Sequence, residues 1–375
     1  MHPIALSTLA LDPTSGMRRS SPRPAELRQP GYEEDFDGLT VFYDIFRSAD
    51  GRWIVLIGPP LSNLLIPALL AVESAFGVPM SAFKIRNLDR NSQIWLPSDA
   101  ANVVFERLVP RKQVAIQPNC SEAFRGKRAA FTVSKDNDLR WIRDWAYFHA
   151  RWHGCNAVLF YDNNSSRYPI DEIHRALSGV PGLDTVVVVG WPYAFGPQGG
   201  ASGLWDSDYC QYGVLEHARH RFLALAEACL NVDVDELVVT DDKSSVFDRV
   251  RKSRAGFIFY WGIWIENAAT DAPESDRRHS QFLYRLSRPV DIPSAKWAVV
   301  PGRCPAEAQW RTHNIPGMIA DAEFSRGVSF RHFRAINTNW KEPRSRPEWP
   351  TSEHVLDKEL VEWMRVFGEN DDGHS

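Results

Sequence analysis

Three carboxylates, Asp233, Asp235 and Glu236, interrupt an apolar run, NVDVDELVV at 231–239, that otherwise suits a buried strand. A carboxylate out of water is costly unless it is paired or bound to a metal. The run contains no Lys or Arg, so the spacing asks for a cation from elsewhere. In an extended chain alternate residues share a face, which puts Asp233 and Asp235 on one side and Val234 toward the core. At a strand end such a pair can ligate one divalent cation, with Glu236 bracing from the other side; on spacing alone, an exposed turn with solvated acids is the alternative. Oxygen donors suit Mg²⁺ or Mn²⁺. A cation so placed neutralises a diphosphate as it leaves, which is the chemistry of group transfer.

A frame must hold these acids, and the pattern from 131 onward describes one. FTVS reads as a strand, and Lys135-Asp136-Asn137-Asp138 as the polar turn after it. The next helix carries Leu139, Ile142, Trp145, Ala146, His149 and Trp152 on one stripe and stops at Gly154. AVLFYD, 157–162, is a second strand ending in the polar turn DNNSS; 171–177 is a short helix, and TVVVVGW a third strand. Continuous apolar strands alternating with helices predict a parallel sheet covered on both faces. Ligands of such sheets bind at the carboxyl ends of the strands, where the turns 134–138 and 162–166 fall. Segment 191–208, with GPQGG, reads as a mobile loop. A helix over 209–230 then leads into the acidic run. A helix at SSVFDRVRKS, a strand at FIFYWGIWI, the runs QFLYRL, KWAVVPGR and SFRHF, and a last helix over 352–367 complete the pattern.

Bulk properties bound the function. A length of 375 residues allows two or three domains. Hydrophobic residues at 44% and charged residues at 24% describe a globular chain rather than a disordered one. A formal charge of −4 gives no electrostatic case for nucleic acid. Fourteen Trp offer aromatic faces that suit sugars as well as cores. Five widely spaced cysteines argue against a disulfide framework or a C-x-x-C metal site and read as reduced thiols in a cytosolic protein. No basic segment precedes a long apolar stretch at the start, so the expectation is no signal peptide and a cytoplasmic location. The run IVLIGPPLSNLLIPALLAV, 54–72, is broken by Pro59, Pro60, Ser62, Asn63 and Pro67. It predicts a buried strand, a turn and a short helix rather than a transmembrane segment, which leaves peripheral association as the route to a membrane. Residues 1–34, rich in Pro, Ser and Arg, predict a flexible arm, and 35–125 a small β-rich accessory domain.

The helix ending in LNVDVDE at a strand end, within an α/β half-sheet, resembles glycosyltransferases of the GT-A type. SKDNDLRWIRDWAYFHARWHGCNAVLFYDNNSS is similar to the opening motif of glycosyltransferase family 92 and related family 2-like bacterial enzymes. QYGVLEHARHRFLALAEACLNVDVDELVV is similar to their central motif. The resemblance runs from Phe131 to about Lys341 and leaves 1–125 outside it. It implies an α/β fold with a GT-A-like, Rossmann-like mixed sheet and helices on both faces over 126–345, followed by a helix and tail at 346–375. It also implies a nucleotide-sugar donor, a UDP-sugar first among them, a carbohydrate acceptor and inverting transfer. Carried over by residue, Lys135 and Asn137 fall at the first polar turn, near the nucleotide base and ribose. Asp162 and Asn163 fall at the second, and Gln211 opens the long helix. Asp233 and Asp235 match the metal motif. In RHFRAINTNWK, His332 corresponds to the family's late histidine, and Lys341 lies near its lysine at a different spacing.

Sugar transfer also needs a carboxylate base for the acceptor hydroxyl. Glu266, just after FIFYWGIWI, is the candidate, with Asp271 and Asp276 behind it; a surface acid is the alternative for Glu266. Trp261 and Trp264 sit either in the core or against an acceptor ring. His149, His153, His217 and His220 read as packing or solvated residues on helices, His217 being the one placed to reach a nucleotide. Two other readings remain: a haloacid-dehalogenase-like phosphatase with Asp233 as nucleophile, and an inactive carbohydrate-binding or assembly subunit. Leu237 departs from the phosphatase pattern, and the intact acids and His332 argue against the inactive one. Cell-surface or exopolysaccharide synthesis is where the resemblance points.

Overall fold

The computed structural model describes residues 4–199, 203–270, 277–338 and 349–368. The chain divides into two compact units. One holds the residues to Ala123 with Trp191–Ala224 and Gln309–Thr312; the other holds Phe124–Gly190, Leu225–Ala308 and the remainder.

In the first unit β1 (Leu9–Ala10) pairs with β2 (Thr40–Phe42), and α1 (Tyr32–Asp35) lies between them in sequence. The described part of the segment expected to be a flexible arm is therefore tied down at particular residues. Leu9 and Leu11 are buried, and the Arg19 guanidinium donates to the carbonyls of Pro60, Asp37 and Thr40. β3 (Asp44–Arg47), β4 (Ile54–Gly58), β5 (Lys84–Leu88) and β6 (Asn91–Leu96) form an antiparallel sheet in the order β3-β4-β6-β5. Ahead of β5 runs α2 (Leu65–Phe76), so 54–72 is the strand, turn and helix its prolines predict. Among the described residues no helix is long and apolar enough to cross a membrane. β7 (Asn102–Phe105) and β8 (Lys112–Ala115) make a hairpin.

The second unit begins with β9 (Arg128–Ser134), α3 (Leu139–His153), β10 (Ala157–Asp162), α4 (Ile170–Ser178) and β11 (Thr185–Gly190). These elements form as their periodicities require. Asp138 caps α3 by accepting from the Arg140 N–H, and Gly154 ends it in the left-handed region at φ 67°. Ile142 and Trp145 are fully buried, each worth on the order of 2–3 kcal/mol relative to exposure.

The chain then returns to the first unit as α5 (Tyr209–His217). The expected helix over 209–230 is shorter than its sequence suggested. It passes through a π turn at Ala218–Phe222 and a 3₁₀ turn, and Ala228 already starts a strand. Buried polar bonds hold this stretch. Asp44 accepts from His217 at 2.9 Å and Arg221 at 2.6 Å, while Glu216 accepts from Gln93 at 2.7 Å and the Trp310 N–H at 2.7 Å. That network groups 191–224 and 309–312 with the N-terminal sheet, so a division at 125 does not separate the units cleanly.

Back in the second unit follow β12 (Ala228–Asn231), β13 (Glu236–Thr240), α6 (Val246–Lys252), β14 (Phe257–Tyr260), β15 (Gly262–Ile265), β16 (Tyr284–Leu286), β17 (Lys296–Val299), α7 (Ala322–Ser325), β18 (Val328–Phe333), β19 (His354–Leu356) and α8 (Lys358–Met364). The main sheet has the order β11-β10-β9-β12-β17-β14. Its β9, β10, β11 and β12 run parallel, and β17 is antiparallel to both neighbours. A second sheet has the order β13-β18-β15. The fold class is α/β with mixed strand directions. FIFYWGIWI is two strands rather than one, broken at Trp261 and shared between the two sheets. Val355 and Leu356 belong to β19, not to the last helix, because Asp357 caps α8 by accepting from the Leu360 N–H.

Candidate active site

The acids do not lie along one strand. NVDVDELVV crosses from β12 in the main sheet to β13 in the second, and Asp233 and Asp235 occupy the turn between them, with Glu236 opening β13. The alternation argument therefore fails for this pair, since a turn does not keep a strand's two faces. Four bonds fix the turn instead. Asp233 N–H donates to Glu236 Oε2 at 2.9 Å, and Glu236 N–H to the Asp233 carbonyl at 3.0 Å. His279 Nε2 donates to the Val234 carbonyl at 3.0 Å, and Phe333 N–H to the Asp235 carbonyl at 2.8 Å. Side-chain exposure falls from 33% at Asp233 to 20% at Asp235 and 2% at Glu236.

The cation that the sequence asked for is Lys296. It opens β17, whose Trp297 pairs with Asn231 at the end of β12, so the lysine falls beside the turn. Its Nζ stands 2.6 Å from Asp233 Oδ2 and 3.1 Å from Glu236 Oε2, with 2% of the side chain exposed. Two acids share this one ammonium. For Glu236, burial outweighs what Lys296 returns, and its carboxyl is pushed up to about 7. For Lys296, burial acts to lower the pKa, but Asp233 and Glu236 together raise it above the ordinary value and keep it protonated. The signal in the sequence was a lone lysine heading the apolar run KWAVV.

His332 comes from β18, directly across from Glu236 on one side and Trp264 on the other. Its Nε2 is 3.1 Å from Asp235 Oδ2, and its Nδ1, 3.7 Å from Glu236 Oε1, makes no hydrogen bond among the described residues. The imidazole stacks on Trp264 at 4.1 Å between centroids, and the Arg334 guanidinium covers that indole at 4.0 Å. Arg334 in turn pairs with Glu266 at 3.1 Å and Asp291 at 3.2 Å. Turn acid, imidazole, indole, guanidinium and Glu266 thus follow one another across the second sheet. Trp264 is half-buried within this stack, whereas Trp261 is 57% exposed rather than in the core.

The polar turns lie at the carboxyl ends of β9 and β10, on the same edge of the main sheet as the acid turn after β12. They are bonded to each other. Asp136, at φ 55°, takes the N–H groups of Ser166 and Arg167 on its carboxylate, and its own N–H donates to Ser165 Oγ at 2.7 Å. Asn137 donates to Ser134 Oγ at 2.8 Å, and Asn163 N–H to the Ser134 carbonyl at 2.8 Å. Lys135 stands at the head of this turn, half-buried. Asp162 is buried; its Oδ2 accepts from the Ser165 N–H, while Oδ1 has no hydrogen-bond partner among the described residues. Burial raises its pKa. An acceptor of this kind suits an N–H or hydroxyl of a ligand.

Gln211 and His217 are on α5 in the first unit. His217 is fully buried, its ring bonded to Asp44 and pushed down to about 4 by that burial, rather than lining a cleft. Asp271, Asp276 and Lys341 lie outside the described residues. His149 and His153 are buried packing residues that meet the edge of β13: His153 Nε2 donates to the Val238 carbonyl at 2.8 Å, and Val238 N–H donates to His149 Nε2 at 3.4 Å.

Among the described residues no three His, Cys, Asp or Glu side chains gather as a ready-made metal site. A divalent cation that keeps several waters or takes phosphate oxygens needs fewer protein ligands. Asp235 Oδ2 and His332 Nε2, 3.1 Å apart, match the roughly 3 Å between adjacent octahedral ligands at about 2.1 Å from a metal. This donor pair fits Mn²⁺ or Mg²⁺, with Asp233 held aside by Lys296. No family model matches the chain, and comparison with the curated proteins gives no match.

Proposed function

We propose that the second unit is a metal-assisted glycosyltransferase of GT-A type, moving a sugar from a nucleotide-sugar donor, a UDP-sugar first among them, to a carbohydrate hydroxyl with inversion. The observation that carries this reading is the meeting of Asp235 with His332 at the turn after β12, on the same edge of the parallel strands as Asp162, whose Oδ1 has no hydrogen-bond partner among the described residues. Asp162, with Lys135 and Asn137 on the neighbouring turn, suits the base and ribose. Asp235 and His332 are the residues that would hold a divalent cation, which supplies positive charge to the departing diphosphate. Glu266 is the group that takes the acceptor proton, and Arg334 orients it from the far side of Trp264. Trp261, exposed near the start of β15, offers an aromatic face for the acceptor.

The test is turnover of a panel of nucleotide-sugars by the full chain with Mn²⁺, with released nucleoside diphosphate and glycosylated product read by mass. Transfer to an oligosaccharide with at least one donor is the expected result. Hydrolysis of simple phosphate monoesters without any nucleotide release would replace this reading with the aspartyl-phosphatase one.

A further inference from the structure

Lys296 has no part in the reaction just proposed, although it is the most committed side chain near the acid turn. With 2% exposure and both close contacts made to Asp233 and Glu236, it cannot reach the phosphates of a nucleotide. It acts on the charge of the turn. Behind it, Tyr260 faces Lys296 across β14 and β17. That tyrosine is buried, which raises its pKa, the Glu236 carboxylate adding to the effect, and its hydroxyl has no hydrogen-bond partner among the described residues. The interior side of the turn is therefore fitted around one fixed cation.

Three uncompensated carboxylates within one turn would draw a divalent cation strongly even at an effective dielectric constant of about 20. Here two of the three are committed to an ammonium that the protein supplies itself. The pair that meets an incoming metal is then Asp235 with His332, one charge and one neutral donor. Such a pair leaves most of a cation's shell to other oxygens.

We infer that Lys296 is a built-in counter-cation that keeps the divalent-ion affinity of the acid turn low until a nucleotide diphosphate adds its own oxygens, so that metal and diphosphate load together. The inference rests on the nucleotide-sugar reading above. Its consequence is that the resting protein holds little metal, and the metal enters and leaves with the nucleotide.

The experiment is Mn²⁺ titration of the full chain, followed by electron paramagnetic resonance of the free ion, with and without UDP. Wild type binds Mn²⁺ weakly alone and roughly tenfold or more tightly with UDP. Lys296→Met binds Mn²⁺ alone roughly tenfold or more tightly than wild type, and the gain from UDP shrinks. Lys296→Arg keeps the charge and restores wild-type behaviour, which loss of packing would not explain. Should Lys296→Met fail to fold with Glu236 stranded, Lys296→Met/Glu236→Gln removes both partners, frees Asp233 and again tightens Mn²⁺ binding. A folded variant with wild-type Mn²⁺ affinity overturns the role of Lys296 and leaves the nucleotide-sugar reading standing. Wild type that binds neither Mn²⁺ nor UDP overturns that reading and the inference together.

Discussion

His332 and Trp264 lie face to face, 4.1 Å between ring centroids and 24° from parallel, on two strands that run side by side in register. The stack holds the imidazole edge toward Asp235 without using either ring nitrogen. A histidine that served only to fill the core would not need that edge. His332→Ala should therefore weaken Mn²⁺-dependent UDP binding by about tenfold or more, with a melting temperature only a few degrees lower. Calorimetry and thermal melts on one preparation decide it; a large melting loss with metal-dependent binding intact would return His332 to a packing role.

Asp235→Asn keeps the size of the side chain and removes a charge from the donor pair. Turnover should fall by about two orders of magnitude, roughly 3 kcal/mol of transition-state stabilisation. Wild type treated with EDTA should fall by a similar factor and recover with Mn²⁺. Full turnover by metal-stripped protein would remove the metal from the mechanism.

Glu266 tests the acceptor side separately. Its carboxylate is set by Arg334, 3.1 Å away, and the pair is layered beyond Trp264. Glu266→Gln should lower kcat by about 10²-fold or more while UDP affinity stays within twofold, as expected for loss of a general base. Equal losses in kcat and in UDP binding would assign Glu266 to holding the sheet instead.

Asp162 sets stability against function. Its buried Oδ1 has no partner among the described residues and its carboxyl is raised by burial, so the folded protein gains little from its charge. Asp162→Asn should leave the melting temperature unchanged or higher, yet weaken UDP binding about tenfold. Unaltered UDP affinity in that variant would place the nucleotide elsewhere.

The two histidines of α3 predict an acid-labile fold. Val238 N–H donates to His149 Nε2 and Val246 N–H donates to His153 Nδ1, so each ring keeps one acceptor nitrogen and must be neutral. Burial depresses their pKa values to about 3 and about 4, below the ordinary 6.5. The unfolded chain takes up these protons below about pH 6.5 and the folded chain does not. Stability from this pair is thus complete above that pH and is lost as pH falls toward 4 and 3, at most about 3 kcal/mol for His153. Urea denaturation between pH 7.5 and 5 should show the loss, and His153→Gln should flatten the slope while lowering stability at pH 7.5. An unchanged slope in a folded His153→Gln protein would assign the pH dependence to other groups.

Much of the frame was legible because it is local. β10 falls on AVLFYD, and α3 ends where Gly154 permits a left-handed residue, since strand and helix periods and cap chemistry need only neighbouring residues. The acids were legible too, because three carboxylates in an apolar run demand compensation wherever the chain goes. What the sequence could not determine was the partner. Lys296 lies 63 residues beyond Asp233, and only the antiparallel pairing of β17 with β12 brings it there. The same holds for the turn that replaced the expected strand: β13 leaves the main sheet to pair with β18, and that choice depends on His332 and its neighbours nearly a hundred residues away. His217 shows the reverse error. Its place on a helix was readable, but burial against Asp44 is a tertiary contact, and it took the ring away from any ligand. Residue type and period decide what must be compensated; strand pairing across long loops decides which residue does it.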